Sequence, residues 1–288
     1  MSEATDDQGE SAALGEAFSH YLVAADRGGL EDSLTHGLMA AGHELDAHLW
    51  QAWCEGGAAV RIAGGPWAGR RAHIGVMPPR SSKVGELWFD VCSLSPMIQV
   101  ERAWLCVRPA ARWQLRGFLD AAEIQPREVQ VRPPYRALDR DRLLGDGEGP
   151  AANLTAGEAA LYAWWFGTSL PHLFDWQNAA QHLAAAADAL WGPVPREWTS
   201  TRLADDEAAR IFVTRSTIDL VPSEVAEEDA DRPESDRVMI RDELTRDPAI
   251  GFRTAVTMQT GLFRSVSAWH AIAEDVKLGS ILDRTAFR

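Results

Sequence analysis

Tryptophan is the residue type that most restricts what this chain can fold into. The 288-residue sequence contains 12 tryptophans, and only Trp269 lies beyond residue 200. A buried tryptophan ring removes about 150–250 Å² from water, so these rings require a large protected interior. We therefore predict a core that is filled by tryptophan side chains, in a domain that has few regular elements.

Composition and charge argue against several classes of protein. Hydrophobic residues make up 46% of the chain and charged residues 24%, which is the balance of a soluble globular protein. No apolar run approaches the roughly 20 residues that span a bilayer, so we expect no membrane insertion. The formal net charge of −14 would repel a phosphate backbone, which argues against nucleic acid as a partner. The acidic N-terminus has no secretory signal, and Cys54, Cys92 and Cys106 do not form a disulfide pattern, so we expect a cytoplasmic protein.

Changes in composition along the chain predict its organisation. Residues 1–12 are acidic and polar, which predicts disorder. Residues 13–57 carry apolar side chains at helical spacing and predict two helices, separated where two glycines follow Arg27. The main domain is predicted over residues 58–253, with an acidic mobile loop at 222–248. The rest, 254–288, is predicted to be a helical C-terminal extension.

Several local patterns predict individual helices and strands. Pro109 suits the first turn of a helix. Thr155 is followed three residues later by Glu158, which is a capping box and predicts a helix to about residue 166. A further helix is predicted from about residue 173 to 190. Runs of β-branched and aromatic residues predict strands at residues 59–62, 87–91 and 97–100.

One segment predicts two helices that are joined by a tight turn around an aromatic core. Glu158, Tyr162 and Trp165 recur at spacings of four and three, which places them on one face of the first helix. Gly167 suits the left-handed residue that commonly ends a helix. The pair Leu170-Pro171 then predicts an extended turn before the second helix begins.

This segment resembles the signature of the formylglycine-generating, sulfatase-modifying family, which reads E-A-x-x-Y-A-x-W-x-G-x-R-L-P-T-E-A-E-W-E-x-A-A. Residues 197–199 are similar to the later E-W-T motif of that family, 250–253 to its closing G-F-R, and 62–67 to its opening I-x-G-G-x-F. The resemblance implies an α+β chain with a C-type-lectin-like fold: short twisted sheets, few helices and long loops. It is carried by Glu158, Tyr162, Trp165, Gly167, Leu170, Pro171, Trp176, Glu197, Trp198, Gly251, Phe252 and Arg253.

The chain also departs from the catalytic members of that family. Those members carry two cysteines shortly before the closing G-F-R, and these cysteines bind the copper ion that activates oxygen. Here no cysteine lies between Trp198 and Arg253, and a soft Cu(I) site needs thiolates. We therefore expect no formylglycine-generating activity, no catalytic residues and no cofactor.

Three histidines in the predicted N-terminal helices are the candidates for a metal site: His36, His43 and His48. Relatives of the ergothioneine type bind iron through three histidines of a helical bundle. The spacing here is not that of the family, and we interpret the three histidines as part of a solvated polar face. The alternative is a diverged iron-dependent, oxygen-using enzyme that acts on a small molecule.

The sequence as a whole predicts an intracellular, non-catalytic binding or interaction module. The resemblance implies a lectin-like loop surface, on which Arg215, Arg237 and Arg241 are the candidate binding residues. The expected partner is a protein or a small-molecule ligand. An apolar stripe over residues 263–276 is predicted to pack on the N-terminal helices.

Overall fold

The computed structural model describes residues 4–23, 29–80, 82–124, 143, 149–183, 196–202, 210–215, 238–242 and 244–257. Helices and short strands are combined in a mixed α+β arrangement. The helices are α1 (Ala4–Val23), α2 (Leu30–Ala40), α3 (Glu44–Cys54), α4 (Arg112–Ile124), α5 (Ala156–Trp165) and α6 (Leu173–Leu183), with a 3-10 turn at Gly65–Trp67. Within the described ranges, no helix has the length and apolar character needed to cross a membrane.

The strands form two sheets. They are β1 (Ala59–Arg61), β2 (Arg71–Gly75), β3 (Leu87–Asp90), β4 (Ser95–Gln99), β5 (Ala103–Cys106), β6 (Arg196–Arg202), β7 (Arg210–Arg215), β8 (Val238–Asp242), β9 (Ile250–Gly251) and β10 (Ala255–Thr257). The six-stranded sheet has the order β1-β2-β3-β4-β5-β10, and the four-stranded sheet has the order β8-β7-β6-β9. Neighbours are antiparallel except β2 with β3 and β6 with β9, which are parallel.

Both faces of the six-stranded sheet are buried at its strands β3, β4 and β5. Side chains alternate between the two faces along a strand, so Leu87 and Phe89 of β3 join the main core, whereas Trp88 joins a second cluster on the other face. Trp88 packs edge-on against Trp104 with ring centroids 5.8 Å apart. Its indole N–H donates to the carbonyl of Gly75 at 3.0 Å. Tryptophan rings therefore fill interior space on both faces, as the composition predicted.

Helices α1 and α4 cross at close range because glycines lie at their contact. A Cβ atom on Gly117 would lie 2.6 Å from the Phe18 ring and 3.0 Å from the carbonyl oxygen of Gly15. Phe18 meets Trp113 edge-on, with ring centroids 5.2 Å apart. This contact positions the first turn of α4, where Trp113 lies.

The N-terminal helices differ from the sequence prediction in two ways. Helix α1 begins at Ala4, so the acidic segment that was predicted to be disordered is helical from this residue onward. Acidic residues at its start suit the positive end of a helix dipole. The second predicted helix is divided into α2 and α3 by a turn in which Gly42 has a φ of 72°. That turn brings His43 to the first residue before α3.

Most of the other predicted elements are confirmed. Strands β1, β3 and β4 coincide with the three predicted runs. Thr155 and Glu158 form the predicted capping box at the start of α5. Helix α4 begins at Arg112 rather than at Pro109, and the intervening Ala111 makes a bridge to Pro150 instead of a helical turn.

The segment predicted as an acidic mobile loop is partly a strand. Strand β8 lies inside residues 222–248 and pairs antiparallel with β7. Its apolar residues Val238, Met239 and Ile240 favour a strand, and the surrounding acidic residues concealed this in the sequence. Residues 258–288, with the predicted C-terminal helices and their apolar stripe, lie outside the described residues.

Candidate functional site

A cleft of about 460 Å³ lies between the N-terminal helices and the six-stranded sheet. One side is the turn into α3, which contributes His43 and Leu45. The other side is the loop of residues 62–67 that follows β1, together with Val107 and Arg108 that follow β5. Clefts of this volume are typical of small-molecule sites.

The loop that forms one wall is held by contacts within itself. The N–H of Ile62 donates to the carbonyl of Arg70 at 3.0 Å. Gly65 has a φ of 71°, a conformation that residues with a Cβ atom rarely adopt. The Arg70 guanidinium lies over the Trp67 ring, 5.2 Å from its centroid. These contacts give the cleft a wall that is formed before any ligand binds.

Arg108 joins the two sides of the cleft. Its guanidinium forms an ion pair with Asp46 of α3, whose side chain is fully buried. Its Nη1 donates to Nδ1 of His43 at 2.7 Å, and Nε2 of His43 lies 3.1 Å from the indole Nε1 of Trp113. Four side chains from distant parts of the chain therefore converge into what we call the Arg108 cluster: Asp46, His43, Trp113 and Arg108.

The electrostatics of the Arg108 cluster keep its imidazole neutral. Desolvation, aided by the positive charge of Arg108, lowers the pKa of His43 to about 3. Desolvation also lowers the pKa of Arg108 to about 10, which leaves the guanidinium charged at neutral pH. Arg108 and Asp46 are therefore a charge-balanced pair beside a neutral histidine.

The hydrogen bonds of the Arg108 cluster are incomplete. Arginine and tryptophan can only donate, and a neutral imidazole accepts at only one nitrogen. Because Arg108 faces one ring nitrogen of His43 and Trp113 faces the other, the ring N–H of His43 faces a second donor, and these two N–H groups have no acceptor at this point among the described residues. Oδ1 of Asp46 is also buried without a hydrogen-bond partner in the described part of the chain. Unsatisfied buried groups are rare in native proteins, which makes this cluster a candidate for ligand binding.

The sequence motifs of the signature meet elsewhere, in a buried network. Arg253 donates from Nε to Oε2 of Glu197 at 2.6 Å and from Nη2 to Oε1 at 2.5 Å. The indole Nε1 of Trp176 donates to the same Oε2 at 3.0 Å. Burial opposes the charge of Arg253, but the Glu197 carboxylate raises the pKa of the guanidinium above its ordinary value. We call these three side chains the Arg253 network.

The Arg253 network also positions the backbone that carries Arg108. Nη1 of Arg253 donates to the carbonyls of Cys106 and Val107 at 3.2 Å and 3.3 Å. The N–H of Val107 donates to the carbonyl of Pro96 at 3.0 Å, and both of these residues line the cleft. The Arg253 network therefore supports the backbone on one side of the cleft without lining it.

The remaining signature residues have structural contacts. Glu158 completes the capping box and accepts two hydrogen bonds from Arg246, at 2.5 Å and 2.8 Å. Gly167 has a φ of 64°, which confirms the predicted left-handed end of α5. The indole N–H of Trp198 donates to the carbonyl of Leu154 at 2.9 Å. The others are buried: Tyr162, Trp165, Leu170, Pro171, Gly251 and Phe252.

The three histidine candidates have different surroundings. His36 and His48 are exposed, whereas His43 is half-buried against Arg108 and Trp113. The interpretation of a solvated face is therefore wrong for His43, because contacts from residues 65 and 70 positions away remove it from water. Across the ranges that the structure describes, no group of three or more His, Cys, Asp or Glu side chains could hold a metal ion.

Two of the three predicted binding arginines lie in strands of the four-stranded sheet, so their predicted placement on loops is wrong. Arg215 of β7 is in register with Arg196, and Arg241 of β8 is in register with Ile211. These two positions are at opposite ends of β7, about 13 Å apart along the strand. Arg237 lies outside the described residues.

Sequence reasoning did not single out Arg108, Asp46 or Trp113. Asp46 and Arg108 are 62 positions apart, and neither lies in a recognisable chemical pattern. The available signal was the similarity of residues 62–67 to the family's opening motif, because this loop forms a wall of the cleft.

Comparisons with protein-family profiles, with curated proteins and with solved structures find no match for this chain. The geometry defines a mixed α+β domain with a cleft of ligand-binding size beside a partly satisfied polar cluster. The family relationship is therefore a proposal, which rests on the sequence motifs and on the contacts among their side chains.

Proposed function

We propose that this protein is an intracellular, non-catalytic binding module built on a sulfatase-modifying-factor-like domain of the C-type-lectin-like fold, and that the cleft holds a small molecule. The observation that carries the proposal is the cleft of about 460 Å³, which His43 and Arg108 of the Arg108 cluster line. Pre-formed clefts with apolar walls and a few converging polar groups are the usual form of small-molecule sites.

Contacts among the signature residues support the family relationship. Three motifs that lie far apart in sequence supply Trp176, Glu197 and Arg253, and these side chains form one buried, hydrogen-bonded network. If the three motifs matched the family only by chance, their side chains would not be expected to contact one another in the core. The three cysteines, Cys54, Cys92 and Cys106, are odd in number and widely spaced, which fits no disulfide framework and is consistent with the reducing interior of a cell.

The absence of catalysis is supported by the chemistry of the residues. The family's copper ligands would have to come from cysteines between Trp198 and Arg253, and the sequence has none there. The iron alternative would need His43, but both ring nitrogens of His43 face protein donors. A histidine ligand needs a free lone pair, so His43 would first have to leave Arg108 or Trp113.

Elemental analysis of the purified full chain tests the non-catalytic part of the proposal. We expect iron and copper well below one atom per chain after purification in metal-supplemented buffer. We also expect no aldehyde when the protein is incubated with Cu(I), oxygen and a cysteine-containing sulfatase peptide. If the protein contains stoichiometric iron and the double variant His36→Ala/His48→Ala loses it, the iron-dependent enzyme is favoured. Formylglycine in the peptide would contradict the argument from missing cysteines.

Fragment binding tests the site itself. Saturation-transfer NMR with phenol, benzamide, benzoate and benzylamine at millimolar concentration should detect at least one bound probe. Gly64 lines the cleft in an extended conformation, and a Cβ there meets no atom within 4 Å, so Gly64→Leu adds a bulky side chain to the cleft wall at a position with room for its Cβ. The matched control is Gly157→Leu, at an exposed position in the first turn of α5. Loss of binding in Gly64→Leu but not in Gly157→Leu supports the site, and binding of no probe contradicts it.

A further inference from the structure

We infer that the cleft selects a neutral, flat ligand that carries a hydrogen-bond acceptor, such as an amide carbonyl on a ring, and that it discriminates against carboxylates. The inference rests on the proposed function, since it names the ligand class for the same cleft. It follows from three features of the cleft: the shape and polarity of its walls, its balance of charge, and its surplus of donors.

The walls of the cleft favour an apolar, ring-sized body. Leu45, Ile62, Trp67 and Val107 contribute apolar surface, and the cleft volume is about 460 Å³. The stretch Gly64–Gly65 presents no side chain, which leaves room for a flat group to approach the backbone. Burial of apolar ligand surface contributes roughly 25 cal/mol per Å². The walls therefore supply affinity but little chemical specificity.

The charges at the floor of the cleft cancel. The positive charge of Arg108 is matched by Asp46, and the low pKa of His43 keeps that ring neutral at physiological pH. The rim carries Glu44, which is exposed and negative. A carboxylate that entered the cleft would lose hydration without meeting any net positive charge, and that loss is costly. The net charge of −14 on the whole chain acts in the same direction.

Donors predominate where Arg108 and His43 line the cleft. A guanidinium has five N–H groups, and within the described residues Arg108 uses them only towards Asp46 and His43. The ring N–H of His43 and the donor that faces it also lack an acceptor there. A ligand carbonyl or a neutral ring nitrogen would accept from such groups without adding charge. An ammonium group carries only donors, so it would meet the N–H groups of Arg108 without accepting from them, which disfavours amines.

A matched set of probes measures this selectivity. Benzamide, benzoate and benzylamine share one ring and differ in the charge of the attached group. Their dissociation constants for the full-length protein can be measured by NMR titration at neutral pH and 150 mM NaCl. We expect benzamide to bind at least about fivefold more tightly than either ion. Equal or tighter binding of benzoate, or binding of phenol alone, would overturn the inference while leaving the cleft as a binding site, whereas binding of none of these probes would remove both.

A change at Asp46 should reverse the selectivity. Asp46→Asn keeps the shape of the side chain but leaves the Arg108 charge unbalanced, so the ratio of benzoate to benzamide affinity should rise at least about tenfold. Glu44→Gln, at an exposed position, should raise the same ratio by only about two- to threefold. Asp46→Asn changes a buried side chain and can disturb folding. Glu44→Gln changes an exposed side chain, so the ratio of benzoate to benzamide affinity can also be measured in a protein with an unchanged core. An unchanged ratio in both folded variants would show that charge balance does not set the selectivity and would overturn the inference.

Discussion

The Arg253 network and the Arg108 cluster are both organised around an arginine, and they differ in how completely that arginine is paired. Arg253 is fully buried, and its donors reach both oxygens of Glu197 and two backbone carbonyls. The side chain of Arg108 is 28% exposed at the edge of a cleft. It pairs with one oxygen of Asp46 and with a histidine nitrogen, and the other Asp46 oxygen has no partner among the described residues.

This difference separates a structural arginine from a candidate ligand-binding one. A buried ion pair that is saturated with hydrogen bonds has no group left to bind a ligand. Removing one partner of such a pair leaves the other as an uncompensated buried charge, which is strongly destabilising. A partly satisfied cluster beside a cleft retains donors that a ligand can use. The two regions are also connected, because Arg253 donates a hydrogen bond to the carbonyl of Val107, the residue before Arg108.

The largest expected effect is on the Arg253 network. Arg253→Met should lower the free energy of unfolding by about 3–5 kcal/mol, because Glu197 is left as an uncompensated buried charge. Urea denaturation measures the change. The matched control is Arg246→Met, whose ion pair with Glu158 is at the surface and should contribute less than about 1 kcal/mol. Equal losses in the two variants would contradict the distinction between paired and exposed arginines.

Trp176 should have an effect of similar size within the same network. Trp176→Ala removes a buried ring and the hydrogen bond to Glu197, and should destabilise the protein by about 3–5 kcal/mol. Trp53 is only half-buried, so Trp53→Ala should destabilise it distinctly less. Thermal unfolding measures both. An unchanged melting temperature in Trp176→Ala would mean that the alignment with the family signature is wrong.

The Arg108 cluster should make stability depend on pH. The folded-state pKa of His43, about 3, lies below the unfolded value of about 6.5, so the unfolded chain takes up a proton that the folded protein does not. The stability that neutral His43 contributes is therefore present above about pH 6.5 and is lost as the pH falls toward about 3. The slope from this group is at most about 1.4 kcal/mol per pH unit.

Two glutamine variants check that slope by urea denaturation between pH 7 and pH 4.5. His43→Gln cannot titrate and should lose this part of the acid sensitivity. His36→Gln changes an exposed histidine in the preceding helix and should retain it. If both variants follow the wild-type curve, His43 is not desolvated as the structure describes.

The smallest effect is expected at Asp175, in the first turn of α6. Desolvation raises its pKa, partly offset by His172 and Arg102. A carboxyl group whose pKa is raised in the folded state contributes stability at low pH, and this contribution is lost as the pH rises. Asp175→Asn should therefore raise the melting temperature slightly at pH 7 and have less effect at pH 4. Asp32→Asn, an exposed first-turn residue of α2, is the control and should give no such gain.

The local patterns that predicted structure correctly are those set by neighbouring residues. The capping box of Thr155 and Glu158 and the left-handed Gly167 depend on bonds within a few positions of the chain. Strand β8 was missed because its short apolar run lies among acidic residues. The division between α2 and α3 at Gly42 was missed because the periodicity on either side looks continuous.

The candidate site was much less predictable than the fold elements. Of the three histidines considered, His43 and His48 line the cleft, and the polar environment of His43 is created by Arg108 and Trp113 from distant positions. Of the arginines proposed for binding, Arg215 lies on β7, Arg241 lies on β8, and Arg237 is outside the described residues. A single arginine carries no periodic signal, so nothing in the sequence ranked one arginine above another.

The sequence alone determined the composition of the interior, the ends of several helices, and the presence of Trp176, Glu197 and Arg253 in recognisable motifs. These properties depend on residue type and local spacing, which a sequence displays directly. Tertiary structure alone decided that Asp46 and Arg108, 62 positions apart, form an ion pair at the floor of a cleft. It also decided which arginine is fully paired and which is not, because pairing and desolvation depend on distances that exist only once the chain has folded.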